Sequence, residues 1–100
     1  MIEELKEAIR NLNPKFLGVR IIKIISFKKL GVGEGNINYI FKIGNKNFIC
    51  RVNIDKHVPN KSDKEYNFLK KVEKLGIAPK VFYLHKKDKM FPLGFIILEF

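Results

Sequence analysis

Leu30-Gly31-Val32-Gly33-Glu34-Gly35-Asn36-Ile37-Asn38-Tyr39-Ile40-Phe41 is the stretch whose reading decides the fold. Three glycines within five residues free the backbone to take positive φ and to lie close against a ligand. What flanks the run fixes its place. In residues 19–29, Ile21, Lys23, Ile25 and Phe27 alternate with Ile22, Ile24 and Ser26, while residues 39–43 are aromatic and β-branched, so both flanks predict strands. The glycines therefore belong at the tip of a β-hairpin. A dinucleotide fingerprint needs its last glycine to open a helix, whereas here a strand follows and Asn36 holds the sixth position. A P-loop needs Gly-Lys-Ser/Thr, which the chain lacks. Two readings remain: a hairpin flap folded over phosphates, or an ordinary glycine-rich turn.

Outward from the hairpin, the other elements follow from pattern. Gly44-Asn45-Lys46 is a turn, and residues 47–52 predict a third strand, with Phe48, Cys50 and Val52 on one face and Ile49 and Arg51 on the other. Residues 53–61 are polar, include Pro59 and read as a loop. Ser62-Asp63-Lys64-Glu65 has capping-box spacing ahead of Tyr66, Leu69, Val72 and Leu75, which predicts the main helix. Gly76 stands where its C-cap is expected, with Pro79 just beyond. Residues 81–85 and 94–100 predict two further strands joined by a charged turn. The last is apolar enough that both of its faces are expected to be covered as far as Glu99. At the front, Ile2, Leu5, Ile9 and Leu12 recur at helical spacing beside Glu3, Glu4 and Glu7, a short helix within residues 1–14 that Pro14 brings to an end. The sum is a single α+β domain over residues 1–100: a five-stranded antiparallel sheet with one main packed helix and a short N-terminal helix.

One hundred residues, 46% hydrophobic and with nine Phe, suffice for one core without staples. No run approaches the roughly 20 apolar residues of a membrane span, and the acidic, amphipathic start is unlike a secretory signal. Cys50 is the only cysteine and reads as a small core residue, which fits a reducing, cytoplasmic setting. A formal charge of +10 can attract any polyanion, nucleotides included. The lysines are spread along the chain with acids interleaved, and no zinc-finger spacing, RNP-type aromatic signature or helix-turn-helix accompanies them. A lysine-biased surface is thus favoured over nucleic-acid binding. His57, His85, Asp55, Asp63 and Asp88 have no companions at metal or triad spacing, so no catalytic residue or metal ligand is assigned.

The order is strand, glycine hairpin, strand, turn, strand bearing a cation, helix with an acid in its first turn, then two strands. A flap that lays N–H groups on phosphates leaves their charge to a fixed cation, which Arg51 is placed to supply and Glu65 to hold. This arrangement resembles the amino-terminal lobe of the protein-kinase-like fold. It is most similar to the small-molecule kinases grouped with aminoglycoside phosphotransferases, choline kinases and methylthioribose kinases. Gly33-Glu34-Gly35-Asn36-Ile37-Asn38-Tyr39 is similar to that family's flap, Gly-x-Ser/Gly-Asn-x-x-aromatic. Phe48-Ile49-Cys50-Arg51-Val52 resembles the strand whose basic residue meets the phosphates, and Glu65-Tyr66-Asn67-Phe68-Leu69 the helix whose acid pairs with it. Gly76-Ile77-Ala78-Pro79-Lys80-Val81 resembles the connection into the fourth strand, and Ile97-Leu98-Glu99-Phe100 the strand entering the hinge. The resemblance spans residues 20–100 as a nucleotide-binding lobe. It departs from the protein kinases at Asn36, where they carry a third glycine.

The resemblance implies that ATP is covered by the flap (Gly33, Glu34, Gly35, Asn36 and Asn38), that Arg51 meets its phosphates and that Glu65 orients Arg51. It further implies that Ile49 touches adenine and that the Glu99 and Phe100 backbone holds the adenine edge. Phosphoryl transfer to a small hydroxylated acceptor, with magnesium, needs the family's carboxy-terminal lobe with its catalytic-loop and metal-binding Asp residues. The chain lacks these, so it is expected to be catalytically incomplete by itself and to act with a missing lobe or partner chain. A non-catalytic, pseudokinase-like binding or regulatory module is the alternative, and a basic nucleic-acid-binding protein the weaker one. An open apolar face leaves homodimerisation as a further reading. Four assignments stay open: Glu65 serves equally well as the capping-box acid of Ser62, Asn36 and Asn38 as turn residues, Arg51 as a surface charge on an edge strand, and Glu99 as the point where the chain surfaces.

Overall fold

Leu5 and Ile9 lie one turn apart and are fully buried, which seats the first helix, α1 (Ile2–Arg10), on the sheet. Glu3 and Glu4 in its first turn and Arg10 in its last complement the helix dipole. The Asn13 side chain then accepts from the Lys15 N–H at 3.0 Å and opens a 3-10 turn over Pro14–Leu17, whose Leu17 joins the core. The computed structural model describes residues 1–100.

Five strands follow: β1 (Ile24–Gly33), β2 (Asn36–Ile43), β3 (Lys46–Asn53), β4 (Val81–His85) and β5 (Phe95–Glu99). The second helix, α2 (Lys61–Val72), comes between β3 and β4. The strands form one sheet in the order β1-β2-β3-β5-β4, and every neighbouring pair is antiparallel. The expected α+β architecture, with one main packed helix and a shorter one in front, is the observed one. No helix is long and apolar enough to cross a membrane.

The first strand begins five residues later than its alternation predicts. Ile24 pairs with Ile43, the last residue of β2, so residues 19–23 have no strand to pair with and Ile21 is left exposed. At its other end β1 runs through Gly31 to Gly33, which pairs with Asn36. Only Glu34 and Gly35 remain as the turn, and Gly35 takes φ +76, a conformation that glycine adopts without strain.

Each face of the sheet has its own cover. Tyr39, Phe41, Phe48, Cys50, Val52, Phe95 and Ile97 pack on one side against Leu5, Ile9 and Leu17. Ile49, Ile96, Leu98 and Val81 pack on the other against Leu69 and Tyr66 of α2. From Phe95 to Leu98, β5 is therefore buried on both faces, as its continuous apolar run predicts. Cys50 lies fully inside, where burial pushes its thiol well above the ordinary value and leaves it inert.

The capping box is overturned. Asn60, in the left-handed region, precedes the helix, and no side chain caps it. Ser62 lies inside α2 and is buried: its hydroxyl donates to the Leu93 carbonyl at 2.9 Å and accepts from Asn53 Nδ2 at 2.6 Å. Two tertiary partners thus take the hydroxyl away from the local cap. Gly76 does terminate the helical segment, after a 3-10 turn over Glu73–Leu75 that carries Leu75 out of the core into solvent.

Gly35→Ala should cost about 1–3 kcal/mol in urea unfolding, because its Cβ would stand 2.9 Å from the Asp55 Cβ. Gly44→Ala, also at positive φ but facing open space, should cost only about 1 kcal/mol. A second expectation concerns the loop before β5. Asp88 accepts from the Phe91 N–H at 2.7 Å and contacts His85 Nε2 at 2.7 Å, which holds its carboxyl below the ordinary value of 3.8. A depressed folded-state value contributes stability above the unfolded one, and that contribution disappears as pH falls through the folded one. Asp88→Asn should therefore lower the melting temperature at pH 7, and the difference from the wild type should close as pH falls through the depressed folded-state value.

Candidate nucleotide site

Alternation along β3 puts Ile49 and Arg51 on the face that α2 packs against. Arg51 stands opposite Asn38 on β2, and its Nε donates to Asn38 Oδ1 at 2.9 Å. Asn38 Nδ2 donates in turn to Asn36 Oδ1 at 2.9 Å, so one line of hydrogen bonds runs from the guanidinium to the root of the hairpin turn. On the other side Arg51 Nη1 donates to Glu65 Oε2, in the second turn of α2. Arg51 and Glu65 keep only 30% and 24% of their side chains exposed, so this ion pair is partly shielded from water. Of the two roles read for Glu65, the structure shows the ion pair. Arg51 Nη2 donates to no protein group, and Glu65 Oε1 is buried without a partner.

The glycines have distinct reasons. A Cβ on Gly33 would strike Asn36 Oδ1 at 2.7 Å, so that position must be bare for the Asn36 carboxamide to turn inward. The Gly35 carbonyl accepts from the Ile54 N–H at 2.9 Å, which ties the hairpin tip to the loop after β3. The Glu34 side chain is exposed, and its carbonyl accepts from Lys61 Nζ at 3.2 Å and from Asn36 Nδ2 at 3.4 Å.

Ile49 is buried and pairs with Ile40 and Leu98, continuing the strand face from Arg51 toward the end of β5. There Glu99 has its N–H committed to the Lys80 carbonyl at 2.8 Å, and its carboxylate accepts from the Lys80 N–H at 3.2 Å. The Glu99 N–H is thus taken, while Phe100 beyond it is exposed. None of the five surface cavities is lined by Arg51, Ile49 or Glu65.

The structure therefore gathers Gly33, Asn36, Asn38, Arg51 and Glu65 into one network, with Ile49 beside it and Glu99 and Phe100 at the far end. It adds Lys61, which opens α2 where the sequence predicts the end of a loop. The available signal was its spacing of four residues from Glu65, visible only once residue 61 is known to be helical. His85 also gains companions, Tyr83 OH at 3.1 Å from Nδ1 and Asp88 at Nε2. The ring stacks on Phe95 with centroids 4.5 Å apart and clamps the β4–β5 connection. No group of three or more His, Cys, Asp or Glu side chains is arranged to hold a metal ion. Compared with known protein families, with curated proteins and with solved structures, the chain matches none.

A double-mutant cycle through Arg51→Met and Glu65→Gln, read by urea unfolding, should give a coupling energy of about 1 kcal/mol or more. A purely exposed pair would couple by only a few tenths.

Proposed function

We propose that this chain is the ATP-binding, amino-terminal lobe of a small-molecule kinase that transfers phosphate to a hydroxyl group. The observation that carries the reading is the Arg51–Glu65 pair, held beside the glycine hairpin by Asn38. A guanidinium fixed on two sides, with Nη2 unspent, suits a phosphate oxygen. The strand order β1-β2-β3-β5-β4, with α2 on the Arg51 face, supports the same kinship.

In this reading the hairpin backbone from Gly33 to Asn36 covers the phosphates, Arg51 pairs with them and Glu65 orients Arg51. Ile49 lies along the adenine. With the Glu99 N–H engaged, the adenine edge falls to the other backbone groups at the end of β5. Magnesium and the phosphoryl-transfer residues would come from a second lobe or a partner chain, in the cytoplasm. Phe68, one turn after Glu65, and Phe100 are 62% and 68% exposed and favour such a partner. The same exposed side chains favour a second reading, a non-catalytic pseudokinase-like module that docks a protein there or pairs with its own copy.

Titration of labelled ATP against the wild type and Arg51→Ala tests the assignment. Wild-type binding should be weak, since one wall supplies few contacts. The variant should bind at least about tenfold more weakly. Equal affinities would remove Arg51 from the site.

A further inference from the structure

The two cations nearest the hairpin tip differ electrically. Arg51 is neutralised by Glu65, so that pair offers directed N–H donors without net charge. Lys61 opens α2 one turn before Glu65, about 6 Å along the axis and on the same side of the helix. Its Nζ has one hydrogen-bond partner, the Glu34 carbonyl at 3.2 Å, and lies 3.0 Å from where a Cβ on Gly35 would stand. No carboxylate lies within ion-pair distance of it. Asp55 packs against the same glycine: its Oδ1 accepts from the His57 N–H at 2.9 Å, while its Oδ2 stands 3.4 Å from the same Cβ position, near the ammonium but outside ion-pair distance. Lys61 is thus an ammonium at the flap tip outside any ion pair, held by a neutral carbonyl that an ionised phosphate oxygen outcompetes.

Resting on the nucleotide reading above, we propose that Lys61 selects ligands with a polyphosphate tail. Its ammonium leaves the Glu34 carbonyl for the terminal phosphate, while Arg51 holds a phosphate nearer the Asn38 end of the wall. Lys61 stands one helical turn from Glu65, the partner of Arg51, so the two cations are offset and can meet different phosphates of one chain. Nucleoside triphosphates and inorganic tripolyphosphate engage both cations, and a nucleoside monophosphate engages Arg51 alone.

The test is calorimetric titration of the wild type, Lys61→Ala and Lys61→Arg with inorganic tripolyphosphate, ATP and AMP, alongside thermal melts. Lys61→Ala should weaken tripolyphosphate and ATP by about tenfold and AMP by no more than about twofold, and Lys61→Arg should restore both. Equal affinities in wild type and Lys61→Ala would overturn the assignment. So would a uniform loss for all three ligands with a lowered melting temperature, the mark of a lysine that only latches the hairpin. Wild-type binding of tripolyphosphate but not of ATP, with the Lys61 dependence intact, would support Lys61 and sink the nucleotide reading. Failure of the wild type to bind either would sink both.

Discussion

A guanidinium set on the covered face of a sheet must be given acceptors, because burying its charge unpaired costs several kcal/mol. Arg51 meets that demand with one acceptor from each direction: Asn38 on the neighbouring strand and Glu65 on the helix above. The requirement adds side-chain bonds to the backbone pairing of β2 with β3 and to the apolar packing of α2 on the sheet. Asn38 links Arg51 on β3 to Asn36 at the root of the hairpin turn, and Glu65 links Arg51 to α2. A change in any one of these groups is therefore felt by the other elements.

The anchoring of α2 shows the same economy at its start. A helix N-terminus ordinarily takes a local side-chain cap, and this one has none. Instead Ser62 bridges Asn53 at the end of β3 and Leu93 ahead of β5, so a polar group that would have closed the helix locally fixes its position on the sheet. Leu69 and Tyr66 complete the docking on Ile49, Ile96 and Leu98. Between Ser62 and Leu69 the helix has little freedom to turn, and Glu65 is thereby aimed at Arg51.

The opposite face explains why so small a domain can spare polar groups for a site. The aromatic stack through Phe27, Phe41 and Phe48 and the cluster of Phe91, Phe95 and His85 concentrate apolar area under α1 and the 3-10 turn. With one face closed in this way, the other can keep Asn36, Asn38 and Arg51 in a row beside α2. The edge strand β1 carries Lys28 and Lys29 along its length, and such charges discourage edge-to-edge pairing.

Much of this was legible in the chain itself. Period-two alternation and turn chemistry located all five strands, the hairpin and the face shared by Ile49 and Arg51. These are local patterns, set by where a side chain must point on a pleated strand. Helical spacing located both helices, and the run Phe95 to Leu98 announced a strand covered on both sides. Position 65 suited an acid paired with Arg51 as well as a cap, and only the partner across space chose between them. The late start of β1 depended on where β2 ends, the loss of the capping box on Asn53 and Leu93, and the place of Lys61 on how the hairpin tip folds onto α2. Each of these was decided by groups distant in sequence, because a polar side chain or a strand edge settles on whichever partner the folded chain brings within reach.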